Sequence, residues 1–407
     1  MILDLRKSTT RSQLFLMSKI DFSNTEIAFA HLSDNELKKT AWLFNMMNKP
    51  WIVKYGSALA LWAVENGLPL ADWAVRKTVF SQFVGGTTLL DSQPSIEKLA
   101  KYNTLTILDY GAEAKETELD FNHTMNENIR AIDFASRSVT SIPVISTKVT
   151  GLIRFGLLER IQSAETLSRE ELAEYRNALK RLDAICYHAS KKNVAVFIDA
   201  EETWIQDAID HLVWLMMRRY NKKEVVVYNT FQFYRHDRLN FLTESYDRAR
   251  KEGFMLGAKL VRGAYMEKER LRAQEMNYPD PINVDKATTD DFYNTALRFC
   301  IDHLDTMAVC NASHNAQSNQ LQVELMDKKG IPHDHPHTLF SQLYGMSDNL
   351  TFNLAKAGFR VAKYLPYGQV KEVIPYLIRR AQENTSVTGD AGRELVLVRQ
   401  EVKRRGI

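Results

Sequence analysis

From about residue 104 the chain alternates between short apolar runs and longer stretches in which apolar residues recur every three or four positions. The runs TLTILDYG (104–111), SIPVISTKVTG (141–151), NVAVFIDA (193–200), KEVVVYNTF (223–231), LGAKLVRG (256–263), TMAVCNAS (306–313), PHTLFSQL (336–343) and FRVAKYL (359–365) read as strands. Between them SREELAEYRNALKRLDAICYHASKK, TWIQDAIDHLVWLMMRRYNKK, NFLTESYDRARKEG and ATTDDFYNTALRFCIDHL read as helices. Strands alternating with helices predict a parallel α/β sheet, and eight such units over roughly 250 residues match a (β/α)8 TIM-type barrel. Residues 1–100 carry helical patterns only, so the chain divides into an N-terminal helical extension (1–100) and a barrel (101–407). Within the extension, the apolar stretch 57–86 is interrupted by Glu65, Asn66, Gly67, Pro69, Asp72 and Arg76, and reads as two amphipathic core helices.

Composition narrows the function. The chain has 407 residues and a net charge of +3, too mild a balance to imply a nucleic-acid partner. Its three cysteines, Cys186, Cys300 and Cys310, form no CxxC, which argues against a zinc ribbon or a redox pair and for a reducing compartment. No run of 18 apolar residues occurs and the N-terminus has no continuous apolar core of a secretion signal, so a cytoplasmic location is expected.

Asp109, Lys148, Asp199, Gln232, Arg262, His314, Gln342 and Tyr364 all fall at or just past the C-terminal end of a predicted strand. That is the face on which barrel enzymes place their chemistry. Asp199, Glu201 and Glu202 follow a buried strand, where acidic residues also cap helices. In KLVRGAY, Gly263 directly after a strand allows close backbone approach to a cofactor, and Lys259 and Arg262 suit phosphates, although no nucleotide-binding glycine fingerprint is present. HDHPH (333–337) is compact and broken by proline, and no metal is expected there. The tail RELVLVRQEVKRRG reads as a packed terminal helix with a solvated basic end.

Near the C-terminus, Tyr364 and the turn Pro366-Tyr367-Gly368 precede a helix bearing Arg379 and Arg380, with Glu383 and Asn384 at i+4. Adjacent guanidinium forks suit a carboxylate. A straight helix from Gln369 would carry the arginines about 15 Å down the barrel side. Pro375 disfavours helix at Ile374 and suits the first position of a new helix, so PYLIRRAQEN is expected as a separate helix laid over the barrel mouth.

LDYGAE, IDAEET, TFQFY, KLVRGAY, ASHN, QLYGM, KYLPYG and YLIRRAQEN occur in order over about 70% of the chain, and on these motifs it resembles the proline dehydrogenase family. The match is nearer the stand-alone, mitochondrial-like form, since the length leaves no room for an aldehyde dehydrogenase or DNA-binding domain. The resemblance implies a distorted (β/α)8 barrel with its last helix over the mouth, bound FAD, and oxidation of L-proline to 1-pyrroline-5-carboxylate. Hydride would pass from proline C5 to flavin N5, and electrons onward to a membrane quinone. It further implies peripheral contact with the inner membrane, through the 57–86 region or the basic tail, and a separate pyrroline-5-carboxylate dehydrogenase for the product. Carried over by motif, Arg379 and Arg380 would hold the proline carboxylate and Tyr364 would pack on the ring. Lys148 and Asp199 would line the substrate pocket, and Glu113 would pair with the first arginine. Gln232 and Lys259 would lie near the flavin ring, with Arg262, Gly263, Ala264, Tyr265, His314 and Asn315 toward the ribityl-pyrophosphate and adenosine, and Gln342 would also bind the cofactor. Lys259 stands where some members carry Arg, and Met266 where some carry an aromatic residue. Members acting on hydroxyproline tend to lack the tyrosine, so Tyr364 favours proline. Two other readings fit the same barrel: a Schiff-base lyase or aldolase using Lys148 or Lys259, and a non-enzymatic amino-acid sensor.

Overall fold

The computed structural model describes residues 19–407, apart from 69, 112–114 and 386–389. Eight parallel strands close into a barrel in chain order: β1 (Leu105–Tyr110), β2 (Val144–Thr147), β3 (Ala195–Ile198), β4 (Val227–Gln232), β5 (Leu256–Val261), β6 (Met307–Ala312), β7 (Thr338–Leu343) and β8 (Val361–Tyr367). All eight predicted strands are present. The intervening helices follow local rules. Ser168 caps the Arg169–Lys192 helix in a reciprocal capping box with Glu171, and Asn193 in the left-handed conformation ends it.

Side chains along a strand alternate between two faces. Ile107, Val144, Phe197, Cys310, Leu339 and Ala362 point inward and fill the barrel. Their neighbours Leu108, Ile145, Val196, Ile198, Val309, Phe340, Val361 and Leu365 face outward and pack under the helices. The two-residue period therefore carries the inward face from Phe197 to Asp199, from Cys310 through Ala312 to His314, and from Ala362 to Tyr364. The pairing register sets Thr230 beside Lys259 and Lys259 beside Cys310.

One sequence expectation fails here. The chain does not start a new helix at Pro375. A single helix runs Val370–Thr385 with Pro375 inside it. The change of direction comes earlier, at Gly368, whose φ of +145° is open to glycine and rarely to other residues. From there the helix leaves the barrel side and packs on the N-terminal extension. Val370, Val373, Tyr376, Leu377 and Ala381 share an apolar cluster with Leu43, Phe44, Met47 and Val53. With the helix redirected before its first turn, Pro375 has no reorientation to perform.

The extension also differs from expectation. Its apolar stretch forms the Pro50–Glu65 helix, then Ala71–Val75, a π turn (Arg76–Phe80) and Ser81–Phe83. Val53, Ala60 and Val64 pack inward. Trp51, Tyr55, Leu59 and Trp62 remain 65, 66, 64 and 55% exposed, as do Leu70 and Trp73. This is a helix with one core face and one apolar outer face, and not a core helix.

Candidate active site

The strand ends and the Val370–Thr385 helix enclose a cavity of about 590 Å³, within the usual range of about 300–1,000 Å³ for small-molecule sites. Of the eight polar residues at predicted strand ends, seven line it: Lys148, Asp199, Gln232, Arg262, His314, Gln342 and Tyr364. Asp109 is buried and is not among the cavity's described lining residues. Lys259, Gly263, Ala264, Tyr265, Asn315, Arg379 and Arg380 line the same space. The arginine pair thus reaches the barrel mouth on an unbroken helix. Glu113 lies outside the described residues, and of Glu383 only its place on the helix is described.

At the centre is Asp199. Its carboxylate accepts Lys259 Nζ at 2.5 Å, Ser146 Oγ at 2.9 Å and the Tyr364 hydroxyl at 2.8 Å. Burial pushes this carboxyl upward, but Lys259, Lys148 and the hydrogen bonds outweigh it and hold it below the usual carboxylate range. Burial, with Asp109 and Asp199 nearby, raises the Tyr364 phenol well above its ordinary value, so it stays a neutral donor. Lys259 Nζ sits 5.0 Å from the centre of the Tyr364 ring and 5.6 Å from that of Phe197. A salt bridge, a phenol and two ring faces therefore fix each other at the cavity floor.

The opposite wall is polar and cationic. Arg262 donates to Asp290, Ser313 Oγ and Ser318 Oγ at 2.7–2.9 Å. Gly263 has φ +137°, and a Cβ there would lie 2.4 Å from the Tyr234 ring, so the residue after Arg262 has to be glycine. The Gly263 and Ala264 backbone is left open to the cavity. Gln342 donates to the Ser313 carbonyl and accepts from Thr351 Oγ1, while Gln232 donates to the Glu201 carbonyl. Asn315 caps the Ala316–Lys329 helix through its side-chain oxygen. His314 is held near pKa 3, first by burial and then by Lys363, Arg380, Arg393 and Arg262, so its imidazole is neutral.

Sequence reasoning missed several contributors. Tyr376 lines the cavity with the Arg380 guanidinium 5.1 Å from its ring centre, and its i, i+3, i+4 spacing to Arg379 and Arg380 was the available signal. Ser146 lies two residues before Lys148 on β2, hence on the same face. Lys286 and Arg393 also line the cavity and carried no local signal. Glu201 is buried and accepts from both Thr150 N and Thr150 Oγ1, holding the turn that follows Lys148.

Burial pushes Glu201 up to about 7. A carboxyl raised on folding binds its proton more tightly in the native state, so it costs stability as pH rises from its unfolded value toward 7. Glu201→Gln is expected to match the wild type in thermal unfolding below about pH 4, to gain on it as the pH rises toward 7, and to keep a constant advantage above that. Parallel melting curves at all pH values would contradict this.

Residues 92–393 match the family described as Proline dehydrogenase. The chain is 42% identical over 258 residues to proline dehydrogenase 1, mitochondrial, of Caenorhabditis elegans, covering 62% of this chain and 42% of that relative. It is 32% identical over 407 residues to hydroxyproline dehydrogenase of Xenopus laevis, covering 91% and 87%. It is 34% identical over 327 residues to the carbapenem antibiotics biosynthesis protein CarD of Pectobacterium carotovorum, covering 80% and 84%. Proline utilization A of Bdellovibrio bacteriovorus shares the fold at TM-score 0.73 and 19% identity, over 91% of this chain and 42% of that one. The match thus spans between 38 and 65% of the length of its mitochondrial relatives. A family match over most of the barrel coincides with the motif residues gathered around one cavity, and the chain belongs to the proline dehydrogenase family.

Proposed function

We propose that this protein oxidises L-proline to 1-pyrroline-5-carboxylate with FAD held in the barrel-mouth cavity. The observation that carries the reading is Arg379 and Arg380 lining the same cavity as the Asp199–Lys259–Tyr364 cluster. The donor set fits a flavin nucleotide: Gln232, Gln342 and Lys259 suit the polar edge of a ring system, and Arg262, Lys286, His314 and Asn315 with the open 263–264 backbone suit phosphates and a nucleoside. FAD bound there would supply a two-electron acceptor for hydride from proline C5.

The chain's own residues do the rest. The paired guanidinium groups anchor the carboxylate bidentately, which fixes the orientation of C5. Tyr364, hydrogen-bonded to Asp199, presents a fixed ring face for the pyrrolidine. Lys148, Arg379 and Arg380 make the pocket cationic, which lowers the pKa of the substrate amine and favours loss of its proton before oxidation. The arginine-bearing helix closes the mouth against water. Carbon–carbon cleavage through Lys259 is disfavoured because that lysine is ion-paired to Asp199 and so poorly suited to act as a free amine, which leaves Lys148 as the lysine of that alternative. Proline-dependent dye reduction without borohydride-trapped adduct tests this. Dye reduction absent and a trapped adduct present would overturn it.

Electrons pass onward to a membrane quinone, and the product to a separate pyrroline-5-carboxylate dehydrogenase. No described helix is long and apolar enough to cross a membrane. Peripheral contact is supported by the outer face of the Pro50–Glu65 helix. Trp51, Tyr55, Leu59 and Trp62 form one stripe, with exposed Lys49 and Lys54 beside it. The basic tail is the weaker candidate, since Arg404 and Arg405 are ion-paired to Glu401. Replacing Trp51, Tyr55 and Trp62 by serine is expected to abolish co-sedimentation with anionic vesicles while dye-coupled turnover stays unchanged. Undiminished sedimentation would remove this face as the contact.

A further inference from the structure

The C-terminal helix Asp390–Arg405 reads in the sequence as packing alone, and most of it does pack. Leu397 and Val398 are buried with Ala28, Phe29 and Leu37, and Arg405 donates to the Phe29 and Leu32 carbonyls. Its first turns do something else. Arg393 lines the barrel-mouth cavity and donates through Nη2 to the His314 carbonyl at 3.1 Å. The next residue, Glu394, is 2% exposed and accepts the backbone N–H of Ser347 at 2.8 Å.

Ser347 is the pivot. It has φ +50°, a left-handed conformation costly for a residue with a side chain. Its hydroxyl meets His314 Nδ1 at 2.8 Å. His314 Nε2 faces the Leu343 N–H at 3.5 Å, an acceptor's role, so Nδ1 carries the proton and donates to Ser347. A buried carboxylate, a strained serine and a neutral histidine therefore form one chain from the C-terminal helix to the cavity wall. Glu394 thereby satisfies the N–H of the residue that caps the Asp348–Lys356 helix, and backbone strain of the kind Ser347 carries collects at functional sites. Arg262, Lys286 and Arg393 line the same cavity as His314 and Asn315, Arg262 bonded to Ser313, Arg393 to the His314 carbonyl, and Arg262 and Lys286 sharing Asp290.

We infer that the C-terminal helix is part of the cofactor site: Arg393 binds the phosphate-bearing portion of the flavin nucleotide, and Glu394 is a positioning residue that sets His314 through Ser347. This rests on the flavin reading of the cavity. The test measures FAD and riboflavin dissociation constants for the full chain by flavin fluorescence, for wild type, Arg393→Gln, Glu394→Ala and Glu394→Gln. Arg393→Gln is expected to weaken FAD about tenfold or more while riboflavin, which has no phosphate, binds as in wild type. Glu394→Ala is expected to weaken FAD and shift the His314 ring-nitrogen NMR signals, and Glu394→Gln, whose amide oxygen still accepts from Ser347, to restore both. If Arg393→Gln binds FAD as tightly as wild type, or weakens FAD and riboflavin equally, the phosphate role is wrong. If Glu394→Ala leaves the His314 signals in place, the positioning role is wrong. Failure of wild-type protein to bind FAD would instead sink the flavin reading itself.

Discussion

Arg380→Met is expected to raise KM for L-proline by about a hundredfold or more, with bound flavin retained and kcat less affected. Two charge-assisted hydrogen bonds to a carboxylate are worth about 1.5–3 kcal/mol each, so losing one guanidinium of the pair removes a large share of substrate affinity. Methionine keeps much of the apolar stem, which limits the packing loss at a residue only 7% exposed and stacked near Tyr376. The effect belongs to KM because the arginines touch the non-reacting end of the substrate, where binding is shared by ground and transition states. Steady-state kinetics with the flavin spectrum recorded on the same sample separates this from unfolding. An unchanged KM would mean that the carboxylate is held elsewhere.

Asp199→Ala is expected to destabilise the protein by about 3–5 kcal/mol as well as to remove activity, because it strands a buried lysine. Lys259 is 6% exposed and its Nζ lies 2.5 Å from the lost carboxylate. The same substitution leaves the Tyr364 hydroxyl without its 2.8 Å acceptor. Adding Lys259→Met in the same chain is expected to recover much of the stability, since the uncompensated charge is then gone, and none of the activity. Chemical denaturation of the two single variants and the double variant closes the cycle. Equal destabilisation in the single and double variants would show that the ion pair is not what the floor of the cavity rests on.

Much of this molecule was legible along the chain, and the failures share a cause. Strands such as LGAKLVRG announce themselves because a barrel strand is buried on both faces and reads as a continuous apolar run. Once the strands were placed, a two-residue period put Lys259, Asp199 and Tyr364 on the inward face, and the strand-end rule brought seven of eight polar residues to one cavity. Asp109 obeys the same period yet is buried and is not among the described lining residues, since the rule says nothing of depth. Tertiary choices were less visible. Pro375 is a strong local signal, but the chain had already turned at Gly368, and packing on Leu43, Phe44 and Val53 carries the helix through the proline. The stretch around Trp51 and Trp62 is apolar enough to be core, and only the fold reveals that one of its faces has no partner among the described residues. Arg393 sits on a helix whose pattern is fully accounted for by packing, so its approach to His314 from a distant part of the chain left no trace in local sequence.

The most direct measurement is an anaerobic spectrum of the purified protein during addition of L-proline and, separately, of pyrrolidine, which has the ring and the amine but no carboxylate. The paired arginines predict a flavin absorbance that bleaches with L-proline at concentrations where pyrrolidine leaves it unchanged. Bleaching by both at the same concentration, or a preparation that binds no flavin, would contradict the claim that those cations hold an imino acid against a flavin ring.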